Sequence, residues 1–488
     1  MRGHFINGKE LTGGSGVLRS LNPATGDVLD EVAIADSEIV TQAVMTASAA
    51  QKRWASVPLA QRSEAISKLA DALRREYGEE GQETPLKSLI RDETGRRMPE
   101  ADLEVSESAD VISYFADNGA RWLEPERLTL DEKLWPTKKS RVCYEPVGVV
   151  AVIKPWNYPL ELPVWSISAA LMAGNAVVFK PSEHSPLVGL RLAEIFTDAG
   201  LPPGLLNVIT GDGGTGDALI NADGIGLVSF TGSVKTGRAV AKACAEHLRP
   251  CKLELGGIDP AIVLNDADLE LTANGITWGS FANAGQVCVR PKRVLIHESI
   301  YPALTERLTR LTSALQKDRD FGPLISKQQL ELVASQVEET VSQGANLRQG
   351  GRQIEGPGFY YAPTILTDVA PSHRIFTEEC FGPVMALTPV ASNQEAVELA
   401  NESVYGLGAS IWGERESAEK IASKVQGGMV WINDVNVAFP QAPWGGVKNS
   451  GYGVDLGRWG LDEYAVKKHI NVETSNDTTR DWWFPYDD

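Results

Sequence analysis

The spacing of apolar residues changes along the chain and divides it into regions. The N-terminal segment is rich in Gly, Asn and Thr, which indicates strands and turns. Beyond it, apolar residues recur every three or four positions, which predicts two amphipathic helices and a third helical region over 99–121. The stripes of the first two helices are Val40, Val44, Ala47 and Trp54, and then Ile66, Leu69, Leu73 and Tyr77 after Pro58.

From about Pro146, short β-branched runs alternate with helical segments. This alternation predicts a parallel sheet covered by helices on both faces, and such sheets bind nucleotides at the carboxyl ends of their strands. We therefore predict a dinucleotide-binding core over 146–256. The predicted strands are 147–153, 176–179, 206–209 and 227–230, and the predicted helices are 160–173, 186–199 and 234–247.

A second α/β stretch follows the Gly256-Gly257 pair and runs to about Gly451. Residues 124–145 and 464–475 fit neither block, and we expect them to form a paired flap that projects from the body. The tail from Asp481 to Tyr486 is too aromatic to be left in water, so we expect it to pack on something. Candidate strands of the second block are 261–264, 293–296 and 429–432.

Composition narrows the function classes. The formal net charge of -18 argues against nucleic acid and against an anionic membrane surface as partners. There is no signal-peptide core and no run of ~18 apolar residues that would span a membrane. The cysteines are odd in number and scattered, which argues against disulfides and zinc sites and favours a reducing cytoplasm. They are Cys143, Cys244, Cys251, Cys288 and Cys380.

Cys288 is the candidate nucleophile. It follows Gly285 and Gln286 at the end of a helix predicted from about Asp268, and Gly285 is expected to break that helix. Irregular backbone would then present the thiol, as it often presents functional side chains. A nucleophilic thiol needs surroundings that lower its pKa. The alternative is that Cys288 is simply a small buried apolar residue.

Three strand-to-helix turns are candidate nucleotide sites. The Gly-Asp-Gly-Gly-Thr-Gly segment at 211–216 matches a Rossmann phosphate loop, but no acidic residue closes the next strand, so a plain turn is favoured. Gly232 and Ser233 begin a helix whose first amides would meet a phosphate, unless Ser233 is only an ordinary cap. Lys180 and Glu183 would hold the hydroxyls of an adenosine ribose, unless they are solvated surface charges.

Further polar residues stand where chemistry needs them. Glu254 ends an apolar strand, where burial would raise its pKa toward that of a useful base. Asn157 lies between two prolines, rigid enough to donate to an oxyanion. Glu378 and Glu379 precede the turn Cys-Phe-Gly-Pro-Val at 380–384.

Together, in this order, these motifs resemble the aldehyde dehydrogenase family, and the resemblance extends from the Asn-Pro-Ala-Thr-Gly at 22–26 to Gly451. It implies an α/β fold with a Rossmann-like parallel-sheet cofactor domain, an α/β catalytic domain and a small β flap for oligomerisation. The implied division is 1–123 and 146–256 for the NAD-binding domain, 257–451 for the catalytic domain, and 124–145 with 452–488 for the flap and C-terminal tail.

The resemblance implies a mechanism. Cys288 attacks the aldehyde to give a thiohemiacetal, Asn157 and the Cys288 amide bind the oxyanion, and hydride transfer to the nicotinamide leaves a thioester. Glu254 activates the water that hydrolyses this thioester. The implied cofactor is NAD rather than NADP, because Glu183 would repel a 2′-phosphate, and no metal is implied. The matching cofactor residues are Lys180, Glu183, Ser233, Gly232, Trp156, Glu379 and Phe381.

The chain also departs from the family pattern. Ser166 stands where a Lys is frequent, Val466 where a Glu sometimes occurs, and Val454 where an Arg is frequent. A proton relay through the first two positions is therefore in doubt. The nucleophile, the base and the oxyanion residue are retained.

The substrate is the least determined feature. Tyr158, Trp165 and Trp444 match positions that line the substrate tunnel of the family, and betaine and aminoaldehyde dehydrogenases have the same three aromatic residues. Such rings attract an ammonium group, although aromatic walls suit any apolar aldehyde. An ammonium-bearing aldehyde and a general aliphatic or aromatic aldehyde both stay open.

Two further functions stay open: a CoA-acylating semialdehyde dehydrogenase, which Glu254 argues against, and a catalytically silent structural or binding protein. By resemblance, the flap joins subunits into a homodimer or homotetramer.

Overall fold

The computed structural model describes residues 1–79, 81–480 and 482–484. Its helices are α1 (Ser37–Trp54), α2 (Leu59–Tyr77), α3 (Pro85–Thr94), α4 (Met98–Leu123), α5 (Glu161–Met172), α6 (Pro186–Asp198), α7 (Gly213–Asn221), α8 (Val234–Glu246), α9 (Leu269–Phe281), α10 (Tyr301–Ala314), α11 (Lys327–Ser342), α12 (Arg374–Thr377), α13 (Asn393–Asn401), α14 (Arg415–Ala422) and α15 (Gly457–Asp462).

The strands are short and lie in several sheets. They are β1 (His4–Ile6), β2 (Lys9–Leu11), β3 (Gly16–Leu21), β4 (Val28–Ile34), β5 (Glu126–Leu128), β6 (Lys138–Pro146), β7 (Val149–Ile153), β8 (Ala176–Lys180), β9 (Leu206–Val208), β10 (Ile225–Gly232), β11 (Cys251–Leu255), β12 (Pro260–Val263), β13 (Arg293–His297), β14 (Asn346–Gln349), β15 (Thr364–Thr367), β16 (Val384–Val390), β17 (Tyr405–Gly406), β18 (Gly408–Trp412), β19 (Met429–Ile432), β20 (Val447–Lys448), β21 (Gly451–Tyr452) and β22 (Ala465–Glu473).

The first large sheet has the order β2-β1-β9-β8-β7-β10-β11-β21. Its five central strands are parallel, and every residue of β7 and β8 is buried. Continuous apolar strands of this kind need helices on both faces, and the alternation of strands and helices along the chain supplies them. The predicted parallel-sheet core is therefore confirmed, and the short segment 451–452 adds an antiparallel edge strand to it.

The second large sheet has the order β14-β15-β16-β13-β12-β18-β19, and β14 is its only antiparallel strand. Residues Ala261 and Val263 of β12 pack on one face with α9 and α10, whereas Ile262 packs on the other with α11 and α13. This alternation follows from the two-residue repeat of a strand. The segment that carries Cys288 connects α9 to β13 and lies beside the first sheet.

The predicted flap is a three-stranded sheet in the order β22-β6-β5. Strands β6 and β22 pair antiparallel over nine positions, from Lys138 opposite Glu473 to Pro146 opposite Ala465. In the tail, the Trp482 ring meets the Trp135 ring edge-on at 6.0 Å, so the expected packing exists there. Phe484 nevertheless keeps 82% of its surface exposed. Residues 481 and 485–488 lie outside the described residues.

Candidate active site

The backbone before Cys288 is strained. Helix α9 ends at Phe281, four residues earlier than predicted, and a 3-10 turn covers Ala282–Gly285. Asn283, Ala284 and Gly285 have φ of 49°, 52° and 71°, in the left-handed region that side chains disfavour. At Gly285 a Cβ atom would lie 2.2 Å from the carbonyl oxygen of Gly382. Only glycine therefore fits at the position where the sequence predicted the break.

Two buried amides hold this turn in place. Gln286 donates through Nε2 to the Asn283 carbonyl at 3.1 Å and accepts through Oε1 from the Ile325 amide at 2.8 Å. Asn283 donates through Nδ2 to the Asn157 carbonyl at 3.1 Å. A non-glycine residue in the left-handed region costs on the order of 1–3 kcal/mol, and such strain persists only when surrounding contacts fix it. The strain thus belongs to the presentation of Cys288.

The Asn157 side chain is tied to the same loop. It is buried, and its Nδ2 donates to the Gln286 carbonyl at 3.2 Å. An amide nitrogen carries two hydrogens, so one N–H of Asn157 is left for a ligand. Asn157 thus lies beside Gln286, which precedes Cys288 by two residues. This position suits the predicted oxyanion role.

Cys288 lies in the wall of a cavity of about 630 Å³. Tyr158, Trp165 and Trp444 line the same cavity, so the three predicted substrate residues are brought together with the thiol. The rings of Trp165 and Trp444 are in contact, with their centroids 5.4 Å apart. The Arg96 guanidinium, however, stacks on the Tyr158 ring at 3.8 Å. One face of Tyr158 is therefore already used, and the predicted three-ring box is reduced chiefly to the two tryptophans.

The surroundings of the Cys288 thiol disfavour its ionised form in this structure. Burial raises the pKa of Cys288 to about 12, and the Lys292 ammonium opposes this rise only in part. Lys292 contacts the Cys288 carbonyl, and its Nζ lies 3.2 Å from a carboxyl oxygen of Glu379. Lys292 alone does not provide the setting that lowers the pKa of a nucleophilic thiol, because desolvation of the thiolate outweighs one nearby positive charge.

Replacing Lys292 with methionine should slow alkylation of Cys288. The ammonium is the main group that lowers the pKa of this thiol, so its removal leaves less thiolate at any pH below that pKa. The rate should fall about tenfold for each unit that the pKa rises. The measurement is the rate of Cys288 modification by iodoacetamide as a function of pH. Lys292→Arg, which keeps the charge, should react nearly like the wild type, and equal rates in the methionine variant would contradict this role.

Glu254 sits at the end of β11, and Thr231 of β10 is its partner in the sheet. It is buried, and neither carboxyl oxygen accepts a hydrogen bond within the described chain. Burial, with the Asp455 charge, raises the pKa of Glu254 well above its ordinary value. The rise in the pKa of Glu254 that the sequence predicted is confirmed. A carboxylate without hydrogen-bond donors is a strong base once ionised.

The adenosine-side candidates lie at the carboxyl ends of β8 and β10, on either side of β7. Lys180 is buried, donates to the Pro181 carbonyl at 3.0 Å and lies 3.7 Å from Glu183. An ammonium has three hydrogens, so donors remain for ribose hydroxyls. Ser233 caps α8 by accepting from the Thr236 amide at 3.2 Å, next to Gly232. These groups fit a dinucleotide, with an anion at the helix start.

The glycine-rich segment at 211–216 is a capped turn. Asp212 accepts through Oδ1 from the Gly214 amide at 2.9 Å and so begins α7. This capping is the role that the plain-turn interpretation predicts.

The remaining cofactor candidates lie between the two large sheets. The Glu379 carboxylate accepts from the Gly257 amide at 3.3 Å, and a Cβ atom on Gly256 would lie 2.0 Å from it. Trp156 and Phe381 are in edge-to-face contact at 5.7 Å. A side chain at position 256 would therefore displace the Glu379 carboxylate.

Within residues 1–79, 81–480 and 482–484, no cluster of three or more His, Cys, Asp or Glu side chains is arranged to hold a metal ion. Over the same ranges, no helix has the length and apolar character needed to cross a membrane.

Comparison with known proteins defines the class. The model of the aldehyde dehydrogenase family matches residues 11–470. The chain therefore belongs to the aldehyde dehydrogenase family, and its activity is the oxidation of an aldehyde. The resemblance and the fold predicted from the sequence are both confirmed.

Individual relatives are similar over their whole length. A chloroplastic aminoaldehyde dehydrogenase of Arabidopsis thaliana is 38% identical, covering 94% of this chain and 93% of the relative. A phenylacetaldehyde dehydrogenase of Pseudomonas fluorescens is 39% identical, covering 93% and 92%. The structure of betaine aldehyde dehydrogenase from Staphylococcus aureus in complex with NAD+ is similar, with a TM-score of 0.93, 32% identity and coverage of 99% and 96%.

Proposed function

We propose that the protein oxidises an aldehyde that carries a primary ammonium group to the corresponding acid, with NAD as the cofactor. The observation that carries this proposal is the charge of the cavity beside Cys288. Two of its carboxylates, Glu107 and Glu161, have no ion-pair partner within 4.0 Å among the described residues.

The titratable groups of the cavity wall include more acids than bases. Three arginines line it, and each pairs with an acid: Arg96 with Glu104 at 2.5 Å, Arg97 with Glu100 at 3.9 Å, and Arg319 with Asp320 at 2.6 Å. Glu107 and Glu161 are the two acids that remain after these pairs. A cationic substrate would balance them.

The burial of these two acids favours a hydrogen-bonding cation. Burial raises the pKa of Glu107 to about 7 and that of Glu161 well above its ordinary value. An ammonium bound between them would stabilise their ionised forms. A primary ammonium donates hydrogen bonds to carboxylates, whereas a quaternary ammonium has no N–H, so the acids favour the former. Trp165 and Trp444 would add cation–π attraction of roughly 0.5–2 kcal/mol.

The reaction assigns one role to each polar group. The Cys288 sulfur bonds to the aldehyde carbon, and the free N–H of Asn157 stabilises the oxygen that becomes negative. NAD, when bound, supplies the hydride acceptor. The residues that would hold it are Lys180, Glu183, Ser233, Gly232, Trp156, Glu379 and Phe381. Glu254 then takes a proton from the water that attacks the thioester.

NAD is preferred over NADP in this proposal. Glu183 lies beside the Lys180 ammonium at 3.7 Å and has 44% of its side chain exposed. A carboxylate at this position accepts hydrogen bonds from ribose hydroxyls but repels a 2′-phosphate.

Substituting Glu161 tests the substrate class. Glu161→Leu should lower kcat/KM for 4-aminobutanal by about 10- to 100-fold, since a hydrogen bond to a charged group contributes about 1.5–3 kcal/mol. Oxidation of hexanal, a neutral aldehyde, should not fall. The measurement is steady-state NADH formation with both aldehydes.

The matched control is Asp320→Asn, which removes an acid of the same cavity that already has an ion-pair partner. Asp320→Asn should lower kcat/KM for 4-aminobutanal much less than Glu161→Leu does. Equal losses for 4-aminobutanal and hexanal in Glu161→Leu would contradict the assigned role.

An aromatic aldehyde is the second candidate substrate. Trp278, Phe281 and the two contacting tryptophans give the cavity a largely apolar wall, and a relative at 39% identity is a phenylacetaldehyde dehydrogenase. If the substrate is aromatic, the wild type should have a higher kcat/KM for phenylacetaldehyde than for 4-aminobutanal. Glu161→Leu should then raise kcat/KM for phenylacetaldehyde.

A CoA-acylating enzyme and a catalytically silent scaffold have less support. A CoA-acylating enzyme has no use for a buried base that activates water, and Glu254 is such a base. A silent scaffold has no need of a strained loop that presents a thiol.

Assembly into a homodimer or homotetramer through the flap is part of the proposal. Strand β22 is an edge strand whose outer backbone groups are unpaired within the described sheet, and Val466 on it is 53% exposed. Such an edge is suited to pairing with a second copy. The free state of all five cysteines supports a reducing compartment, the cytoplasm.

A further inference from the structure

Glu254 is one member of a buried row of polar groups at the carboxyl ends of three adjacent strands. Ile153 of β7 pairs with Phe230 of β10, so Lys154 follows beside Thr231, which pairs with Glu254 of β11. Paired residues of a sheet point to the same face. Lys154, Thr231 and Glu254 therefore lie side by side.

One more lysine and one aspartate complete this cluster, which consists of Lys154, Thr231, Lys252, Glu254 and Asp455. The Lys154 Nζ donates to the Thr231 hydroxyl at 2.8 Å and lies 3.7 Å from a carboxyl oxygen of Asp455. The Lys252 Nζ contacts the other oxygen of Asp455. All four charged members are at most 5% exposed, so solvent screens them little.

The charges of the cluster balance only when Glu254 is ionised. Burial lowers the pKa of Lys154 to about 8, so this lysine is charged at neutral pH and below. In that range Lys154 and Lys252 carry two positive charges, and Asp455 supplies one negative charge. Because Glu254 accepts no hydrogen bond within the described chain, its ionised form depends on these neighbouring charges. Asp455 opposes ionisation of Glu254, and the two lysines favour it.

Other titratable groups face the cluster. Glu463, which directly follows α15, is partly exposed and weakly opposes ionisation of Glu254. The Tyr464 hydroxyl accepts from Lys252 at 2.8 Å. Ser166, a neutral hydroxyl, lies 3.3 Å from Asp455 and adds no charge. Lys252 has the closer contact with Asp455, so Lys154 is the lysine whose charge Asp455 balances less.

We propose that Lys154 is a positioning residue that keeps the Glu254 carboxylate ionised for the hydrolytic step. In that step the water oxygen bonds to the thioester carbon, its proton passes to a Glu254 oxygen, and the C–S bond breaks to release the Cys288 thiolate. The inference rests on the proposed function, because it needs Cys288 and Glu254 in the roles given above.

The test uses the hydrolysis of p-nitrophenyl acetate by the full chain. The burst of nitrophenolate reports acylation of Cys288, and the steady rate that follows reports hydrolysis of the acyl-enzyme. Both are measured against pH for the wild type, Lys154→Met, Lys154→Arg, Asp455→Asn and the double variant Lys154→Met/Asp455→Asn.

Lys154→Met should keep the burst. The pH at which its steady rate rises should be about one unit higher than in the wild type, so the rate at any pH below this rise should be about tenfold lower. Lys154→Arg should match the wild type. Asp455→Asn should move the limb to lower pH, because it removes the charge that opposes ionisation. The double variant, with one lysine facing Glu254, should return toward the wild type, which a merely structural role would not produce.

An acid limb that stays in place in Lys154→Met would overturn the inference. If that variant loses its burst through misfolding, an unmoved limb in Asp455→Asn would overturn it instead. A wild type without a burst that depends on Cys288 would overturn the proposed function itself, and a failure at this level is distinguishable from a failure of the Lys154 role.

Discussion

Aldehyde oxidation by the Cys288→Ala variant is expected to fall at least about 10³-fold, because no other group can form the covalent adduct from which hydride leaves. The thiol lies in the wall of the cavity that also holds Tyr158, Trp165 and Trp444. The variant should still fold, since Cys288 is only partly buried and alanine fits wherever cysteine does. The measurement is NADH formation with 4-aminobutanal.

Cys143→Ala is the matched control. This cysteine is also partly buried, but it lies on flap strand β6. Its activity should equal that of the wild type. Substantial NADH formation by Cys288→Ala would show that the nucleophile is elsewhere.

Replacing Glu254 with glutamine is expected to separate the two halves of the reaction. The first turnover should still give a burst of NADH, because Cys288 and Asn157 are unchanged. The steady rate should then fall by about 10²- to 10⁴-fold, since glutamine cannot accept the proton of the attacking water. Stopped-flow measurement of NADH gives both quantities.

The pH dependence adds a second signature. Because burial and Asp455 raise the pKa of Glu254, the base is protonated at low pH, and the wild-type steady rate should rise as pH increases through that pKa. This rise should be absent in Glu254→Gln. Glu463→Gln, a change in a neighbouring and partly exposed acid, should keep both the rate and its rise. A loss of the burst in Glu254→Gln would place Glu254 in the acylation step instead.

The sheets were predictable because their signal is local. Each buried parallel strand is a short apolar run that the chain itself contains, as at 149–153 and 176–180, and a helix must follow it. The glycine-rich turn at 211–216 was also correctly interpreted, because a missing acid is visible in the sequence. The domain boundaries drawn between these blocks stay a prediction.

The setting of Cys288 was only partly predictable. The break at Gly285 could be anticipated from its residue type, but the left-handed Asn283 and Ala284 could not, because buried groups distant in sequence hold them there. The raised pKa of the thiol had the same origin. It follows from burial, which the Lys292 ammonium opposes only in part, and a sequence shows neither the depth of a cavity nor the partners that face it.

The charged groups around the site were missed for a related reason. Lys154, Glu107 and Glu161 are single charges whose function nothing nearby in the chain marks. The role proposed for Lys154 follows from its neighbours across the sheet, and the roles proposed for Glu107 and Glu161 follow from the lack of an ion-pair partner among the described residues of the cavity wall. For Lys154, a charge that directly follows an apolar run was the available signal, because a buried charge needs a partner.

The most direct test of the covalent mechanism is to trap the acyl-enzyme. The Glu254→Gln variant is incubated with NAD and 4-aminobutanal, quenched in acid and digested. The mass of the peptide that contains Cys288 is then measured by mass spectrometry. We predict that this peptide gains the mass of the 4-aminobutanoyl group and that the gain is absent in Cys288→Ala. An adduct on another residue, or NADH formation without any adduct on Cys288, would contradict the mechanism.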